Sequence, residues 1–470
     1  MAQFSYQTVW RLAGPNIISN ILFVSISFAH LWIVAPLGRE ASAAVVTGAR
    51  VQFLLMSAAM ALSVATTAVV ARAWGADEKF EASASTTTSL ALCIMVAVFL
   101  SVPTYVFAPQ IVGIFGLDTT TTQMAVDYIR PVAIFNFAFA LTVTMTTAMR
   151  AISDVIRPLR FTAAATVLSI IMSYILARGV FTYEGIGIAG IPIGTGAAQL
   201  LIVMYFMMRW LLKKYDLVPV ASATFDNKRL AQLIKIGTPA ALEQIIIQMS
   251  FVLFMVIIGA YGTAPFAAYG IGITILSVCI VVGLGFGAAS STLVGQSLGA
   301  GNEAEARASG WAAMRLAIGL MTIIAGLIYL MRGFLAALLS TDAETRELTE
   351  YFILILALIQ PLMAIEFAIG GALRGAGDTR YPLFVSFAGM ILGRLVIGYI
   401  IFKAGASIEA MFAIIILDYL IKIILLLARF RSSKWVDATS THAPAAVQSV
   451  AGVSRVAVRS YYQTHNEEPE

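Results

Sequence analysis

Five ionisable side chains lie inside long apolar runs in the second half of the sequence: Glu243, Glu366, Arg394, Asp418 and Lys422. A charge in hydrocarbon costs roughly 2.5–3.5 kcal/mol on insertion scales, so each needs a partner or a role. Asp418 and Lys422 stand four residues apart, the spacing of a helical ion pair. Arg394 can neutralise one more carboxylate, which leaves one over. Desolvation favours the neutral form of an unpaired carboxyl, so the chemistry expected is reversible protonation. Glu243 is the favoured spare group, because Pro239 one turn earlier can kink its helix and couple protonation to shape. A self-neutralising ion-pair network is the competing reading of the same residues.

His30 is the one histidine within an apolar run; His442 and His465 fall in a polar tail. A lone imidazole cannot make a metal site, and Cys93 and Cys279 lie in separate runs, so no metal centre and no cofactor are expected. His30 and Arg50 each lie about six residues from the same end of their runs, which predicts a cation beside the imidazole that opposes its protonation. A titrating or substrate-contacting histidine competes with one hydrogen-bonded in the interior.

The elements that must hold these groups are membrane helices. Of 470 residues, 60% are hydrophobic and only 12% charged, with a mean hydropathy of +0.88. Soluble chains carry about twice that charge. Apolar runs near twenty residues recur about twelve times, each long enough to cross ~30 Å of hydrocarbon. The fold class expected is all-α and polytopic, embedded in the lipid bilayer. Basic residues, among them Arg157, Lys213, Arg229 and Arg429, fall on one side if the spans alternate, so both termini are expected in the cytoplasm. They are dispersed over loops rather than gathered in a strip, which argues against nucleic acid as a partner. No phosphate-binding loop occurs, so direct ATP drive is not expected.

The stretches "AMRAISDVIRPL" from Ala148 and "ALRGAGDTRYPL" from Ala372 repeat one polar pattern. Asp378 minus Asp154, Pro382 minus Pro158, Pro239 minus Pro15 and Gly299 minus Gly75 all equal 224. A constant offset over half the chain is a tandem duplication of six spans each. Six is even, so the halves are parallel and pseudo-symmetric about an axis normal to the membrane, with a cleft between them. The organisation expected is a lobe over 1–211, a cytoplasmic linker over 212–234, a second lobe over 235–435 and a polar tail over 436–470. Pro15 and Pro239 are equivalent helix hinges. Arg150 with Asp154, and Arg374 with Asp378, are expected as i, i+4 charge pairs at equivalent helix ends.

The residues "GTPAALEQ" from Gly237, "VGQSLGAGNEAEAR" from Val294 and "ALRGAGDTRYP" from Ala372 resemble motifs of the multidrug and toxic compound extrusion transporters. "RLAGPNIISN", "VARAWGADEKFEAS" and "AMRAISDVIRP" are weaker first-half versions in register, and the likeness spans about residues 8–435. The resemblance implies two six-helix lobes, alternating access, and efflux of amphipathic small molecules driven by proton or sodium entry. The family often has an Asp fifteen residues after the first-helix proline and eight before the loop glycine; here that position is His30. The fifth helix often carries an Asn and an Asp where this chain has Ser169 and Ser173. Sodium prefers several oxygen ligands including a carboxylate, so proton coupling through the second lobe is expected over sodium. The function expected is a secondary efflux antiporter, a monomer in a bacterial-type inner membrane. A flippase for lipid-linked precursors or other amphiphiles is the alternative, and an intramembrane enzyme lacks a recognisable catalytic constellation.

Overall fold

Among the described residues of the computed structural model, twelve helices are long and apolar enough to cross a membrane. Residues 6–179, 184–340, 342–432 and 434–437 are described, so most of the predicted tail lies outside the described residues. The spans are α1 (Tyr6–Leu37), α2 (Arg39–Gly75), α3 (Lys79–Val106), α4 (Thr119–Ala151), α5 (Ile156–Arg178) and α6 (Gly187–Leu211). The second set is α7 (Asn227–Gly259), α8 (Thr263–Gly299), α9 (Glu303–Leu330), α10 (Ala343–Gly375), α11 (Arg380–Lys403) and α12 (Ile408–Arg431). Helices dominate because a backbone in hydrocarbon must satisfy its own hydrogen bonds.

The duplication governs the helix ends. The bounds of α8, α9 and α10 are those of α2, α3 and α4 plus 224 at both termini. The caps repeat too. Asp118 accepts the Thr121 N–H at 3.0 Å to start α4, and Asp342 accepts the Thr345 N–H at 2.9 Å to start α10. The Thr121 and Thr345 hydroxyls donate to the same carboxyls at 2.6 and 2.9 Å, and hydroxyl and N–H together hold both below the usual Asp range. At the other ends the Asp154 N–H reaches the Met149 carbonyl at 3.0 Å, and the Asp378 N–H reaches Leu373 at 2.9 Å. The residue before each Asp is left-handed, Ser153 at φ 68° and Gly377 at φ 87°. Both copies therefore use one helix-stop turn, and only the second fills it with the residue that turn favours.

Within the halves α2 packs on α4 as α8 packs on α10, and α1 on α5 as α7 on α11. Between them α1 meets α8 and α2 meets α7, pairs that the repeat exchanges, as a two-fold relation requires. Gly75 and Gly299 cross where a Cβ would lie 2.0 Å from the Gln296 and Arg72 carbonyl oxygens respectively. Only glycine permits that approach. Gln296 Nε2 donates to the Ala151 carbonyl at 2.7 Å, and Thr292 Oγ1 to that of Arg150 at 3.3 Å. Nearer mid-span, Asn20 Nδ2 donates to the Val281 carbonyl at 3.3 Å. These ties run from mid-span to the end that carries Arg72, Arg150 and Arg374, called the basic end below.

Candidate functional site

Charge gathers in the second half, in two groups. Arg394 pairs with Asp418 in a fully buried contact, and Lys422 Nζ lies 3.2 Å from both Asp418 Oδ1 and Glu366 Oε1. Arg394 also faces the Phe251 and Phe254 rings at 5.4 and 5.8 Å. The segment Phe387–Val396 of α11 is π-helical around this point, whereas 163–172 of α5, its equivalent, is α-helical. Gly389 on that segment lets α12 close in: a Cβ there would lie 2.5 Å from Asp418 Oδ1. A wide turn at a functional position is a common use of π geometry.

The second group is Glu243, held by Arg374 Nη2 at 2.6 Å, Arg374 Nε at 3.2 Å and Ser386 Oγ at 3.0 Å. Glu243 is 2% exposed, so its charge rests on these three donors. Three carboxylates thus meet three cations, Arg374, Arg394 and Lys422. This corrects the expectation of a spare carboxylate: the count had omitted Arg374. Glu366, Asp418 and Arg394 come together with Lys422, but Glu243 stands with Arg374 instead. Glu366 and Arg374 share α10 at a separation of eight residues, so the groups are neighbours along one helix.

The expected i, i+4 pairs do not form. Asp378 accepts from Arg429 Nε at 2.8 Å, and Asp154 pairs with Arg157 at 3.1 Å. The helices end at Ala151 and Gly375, so both Asp residues lie past the last turn and off the helical face of their Arg. Arg150 has no carboxylate within ion-pair distance among the described residues; where Glu243 would serve it, the repeat places Ser19, which donates to the Pro15 carbonyl.

In the first half the predicted groups meet differently. His30 Nε2 lies 2.9 Å from Thr195 Oγ1, which lies 3.0 Å from Ser173 Oγ, and Ser173 donates to the Ile191 carbonyl at 2.8 Å. Each hydroxyl has one hydrogen. Ser173 spends its own on Ile191, so Thr195 donates to Ser173 and His30 must donate from Nε2. Ser169 is fully buried beside this chain of bonds on the same helix, and its Oγ has no partner among the described residues. His30, Gln52, Tyr128, Asn136, Thr195 and Gln199 border a cavity of about 40 Å³, room for two or three waters. Arg50 is not beside His30. It is exposed on α2, while His30 is buried. Thr195 and Gln199 were missed by sequence reasoning, although their i, i+4 spacing among the small residues of "GIPIGTGAAQ" places both on one face.

The MatE family profile matches twice, over residues 15–175 and 239–400, whose starts are 224 apart. The chain belongs to the MatE family. Its members are transporters, not enzymes. A probable multidrug resistance protein NorM of Thermotoga maritima is 24% identical over 90% of this chain and 92% of its own. An FAD transporter of Shewanella oneidensis is 22% identical over 81% of this chain and 85% of its own. In fold, the Vibrio cholerae MATE transporter VcmN in its bent form superposes with a TM-score of 0.84 at 18% identity, over 92% of this chain and 97% of that one. The MatE fold accounts for the twelve spans and the duplicated register.

Proposed function

We propose that this MatE protein is a secondary efflux antiporter that exports amphipathic small molecules across a bacterial-type inner membrane, with both termini and the basic end in the cytoplasm. The observation that carries the reading is the arrangement of the interface: the ties between halves run from mid-span to the basic end, so the halves can part at the opposite end. Rocking about such a joint alternates access to a central site. The names of the relatives, multidrug resistance protein and FAD transporter, point to organic molecules with flat apolar parts as cargo.

Proton entry is the proposed drive. His30, Ser169 and Ser173 offer no carboxylate where sodium would want one. Glu243 offers a proton acceptor tied to the moving parts. Protonation removes the charge that holds Arg374, and Arg374 adjoins Gly375, whose Cβ position is 2.1 Å from the Ser291 carbonyl oxygen on α8. The next residue on α8, Thr292, donates across to the first half. A contiguous path therefore links Glu243 to the closed end.

Purified protein in proteoliposomes, with proton and sodium gradients imposed separately, tests this. Substrate movement should follow the proton gradient, and Glu243→Gln should abolish it while the protein stays folded. Transport driven by sodium alone, or normal proton-driven transport by Glu243→Gln, would sink the coupling assignment.

A further inference from the structure

The face that α2 turns toward the other half can be followed along its length. At 100° per residue, eleven residues close about three turns, so positions eleven apart share a face. On α2 these are Arg72, Ala61 and Arg50 (72 − 61 = 11, 61 − 50 = 11). The Arg72 carbonyl touches Gly299 of α8, and the Ala61 carbonyl lies 3.8 Å from the Cβ position of Gly237 on α7. Arg50 therefore lies on the same interface face, one stretch farther from the basic end, and there it is exposed. None of the ties between the halves described above reaches this stretch, which is the reason to read it as the open part of the cleft.

The other walls follow by the same count. Ile17 touches Gly285 and Asn20 bonds to Val281, so Phe28 and Leu31 continue the interface face of α1 (17 + 11, 20 + 11). They are 51% and 43% exposed. On α8 Gly285 leads to Thr274, which is the repeat equivalent of Arg50 (274 − 50 = 224) and carries no charge. Leu54 and Val278, one turn deeper, are 60% and 52% exposed. The walls are apolar.

Charge decides what such a cleft holds. The three mid-span carboxylates of the second half, Glu243, Glu366 and Asp418, are matched by three cations, as counted above. The segments 20–37, 244–260 and 263–285 that border the opening contain no Asp or Glu. On α2 Glu40 lies at the mouth next to Arg39, so that pair adds no net charge. Arg50 remains without an ion pair among the described residues, and a guanidinium offers five donors and no acceptor. A cationic drug entering the cleft would meet a fixed like charge.

We propose that the cargo is an amphipathic organic anion whose apolar body lies against Phe28, Leu31, Leu54 and Val278 while its negative group pairs with Arg50. The inference rests on the efflux reading and names its substrate class. A guanidinium on an apolar wall recognises a carboxylate, sulfonate or phosphate by paired hydrogen bonds, whether the anion arrives from water or from the lipid leaflet.

The test uses two dyes on one xanthene skeleton, anionic carboxyfluorescein and cationic rhodamine 6G, with purified full-length protein. Binding in detergent by fluorescence anisotropy should favour the anion by about tenfold or more. Arg50→Gln should weaken anion binding about tenfold, Arg50→Lys should keep most of it, and Arg50→Glu should invert the preference. Proteoliposomes then measure gradient-driven movement of each dye, and a tail-labelled phosphatidylglycerol in the same vesicles reports whether a lipid anion moves as well. Stronger binding of rhodamine 6G, or anion binding indifferent to Arg50→Gln, overturns the anion assignment whatever the transport result. Arg50-dependent anion binding without gradient-driven movement of dye or lipid keeps the charge assignment and sinks the efflux reading instead.

Discussion

Position 19 and position 243 are the same place in two copies of one six-helix unit, and one holds Ser where the other holds Glu. The exchange is repeated elsewhere. Thr142 and Ile170 stand where the second half has Glu366 and Arg394, and α6, the counterpart of the helix that carries Asp418 and Lys422, has no charged residue from Gly187 to Met208. Around its small cavity the first half relies on neutral groups, the His30–Thr195–Ser173 chain. The second uses full charges in near-complete compensation. Neutral hydrogen bonds are cheap to lose, at about 1 kcal/mol each. A buried ion pair that loses one partner costs about 3–5 kcal/mol. The halves share a backbone but differ in tolerance for change: the charged one loses more when a single partner is removed.

The largest effect should come from breaking that compensation. Arg394→Met removes the partner of Asp418 Oδ2 and leaves net negative charge among Asp418, Glu366 and Lys422. Stability should fall by about 3–5 kcal/mol, read as thermal unfolding in detergent. Arg394→Met with Asp418→Leu removes both charges and should recover most of the loss, since Lys422 still pairs with Glu366. A double variant no better than the single one would show that packing around the π-helical turn, not charge balance, sets the cost.

An intermediate effect is expected where the halves are alike. Gly299→Ala puts a methyl 2.0 Å from the Arg72 carbonyl oxygen. Backbone cannot yield there as a side-chain tip could, so the basic end should part. A cysteine placed at Ser153, beside Gln296 in the closed state, should then react about tenfold faster with a charged maleimide. Gly75→Ala should do the same, because the crossing is two-fold. If one glycine tolerates alanine and the other does not, the closure is less symmetric than the register implies.

How much of this was legible in the sequence depends on what each feature rests on. The twelve spans and the 224-residue register follow from hydropathy and from landmarks such as Pro15 and Pro239, which are local properties. Asp418 with Lys422 was legible because i, i+4 spacing is local too. Arg374 with Glu243 was not, since it joins two helices 131 residues apart and depends on their relative rotation. The Arg150–Asp154 reading failed through chain geometry: a left-handed residue after each helix end turns the Asp away, and Ser153 gives no outward sign of adopting that conformation. Arg50 was found as a residue but placed wrongly, because depth along a helix says nothing of azimuth.

The smallest effect tests the neutral half. Thr195→Val keeps the β-branched shape and removes the one hydroxyl that both His30 and Ser173 use. No charge is stranded, because His30 can turn its Nε2–H toward the cavity it borders, where water fits. The loss should be about 1 kcal/mol in stability, with gradient-driven transport reduced no more than about threefold. A structural role alone would stop there, but the bond order assigned above makes a further demand. Ser173 donates to Ile191 and Thr195 to Ser173, so His30 is fixed as the Nε2–H tautomer. Removal of the acceptor should release that preference, and the ring-nitrogen shifts of ¹⁵N-labelled His30 should move toward a mixture of tautomers. Unchanged shifts in Thr195→Val would mean that another group holds the imidazole. A stability loss equal to that of Arg394→Met would mean that the first half, too, depends on a buried charge, and the contrast between the halves would fail.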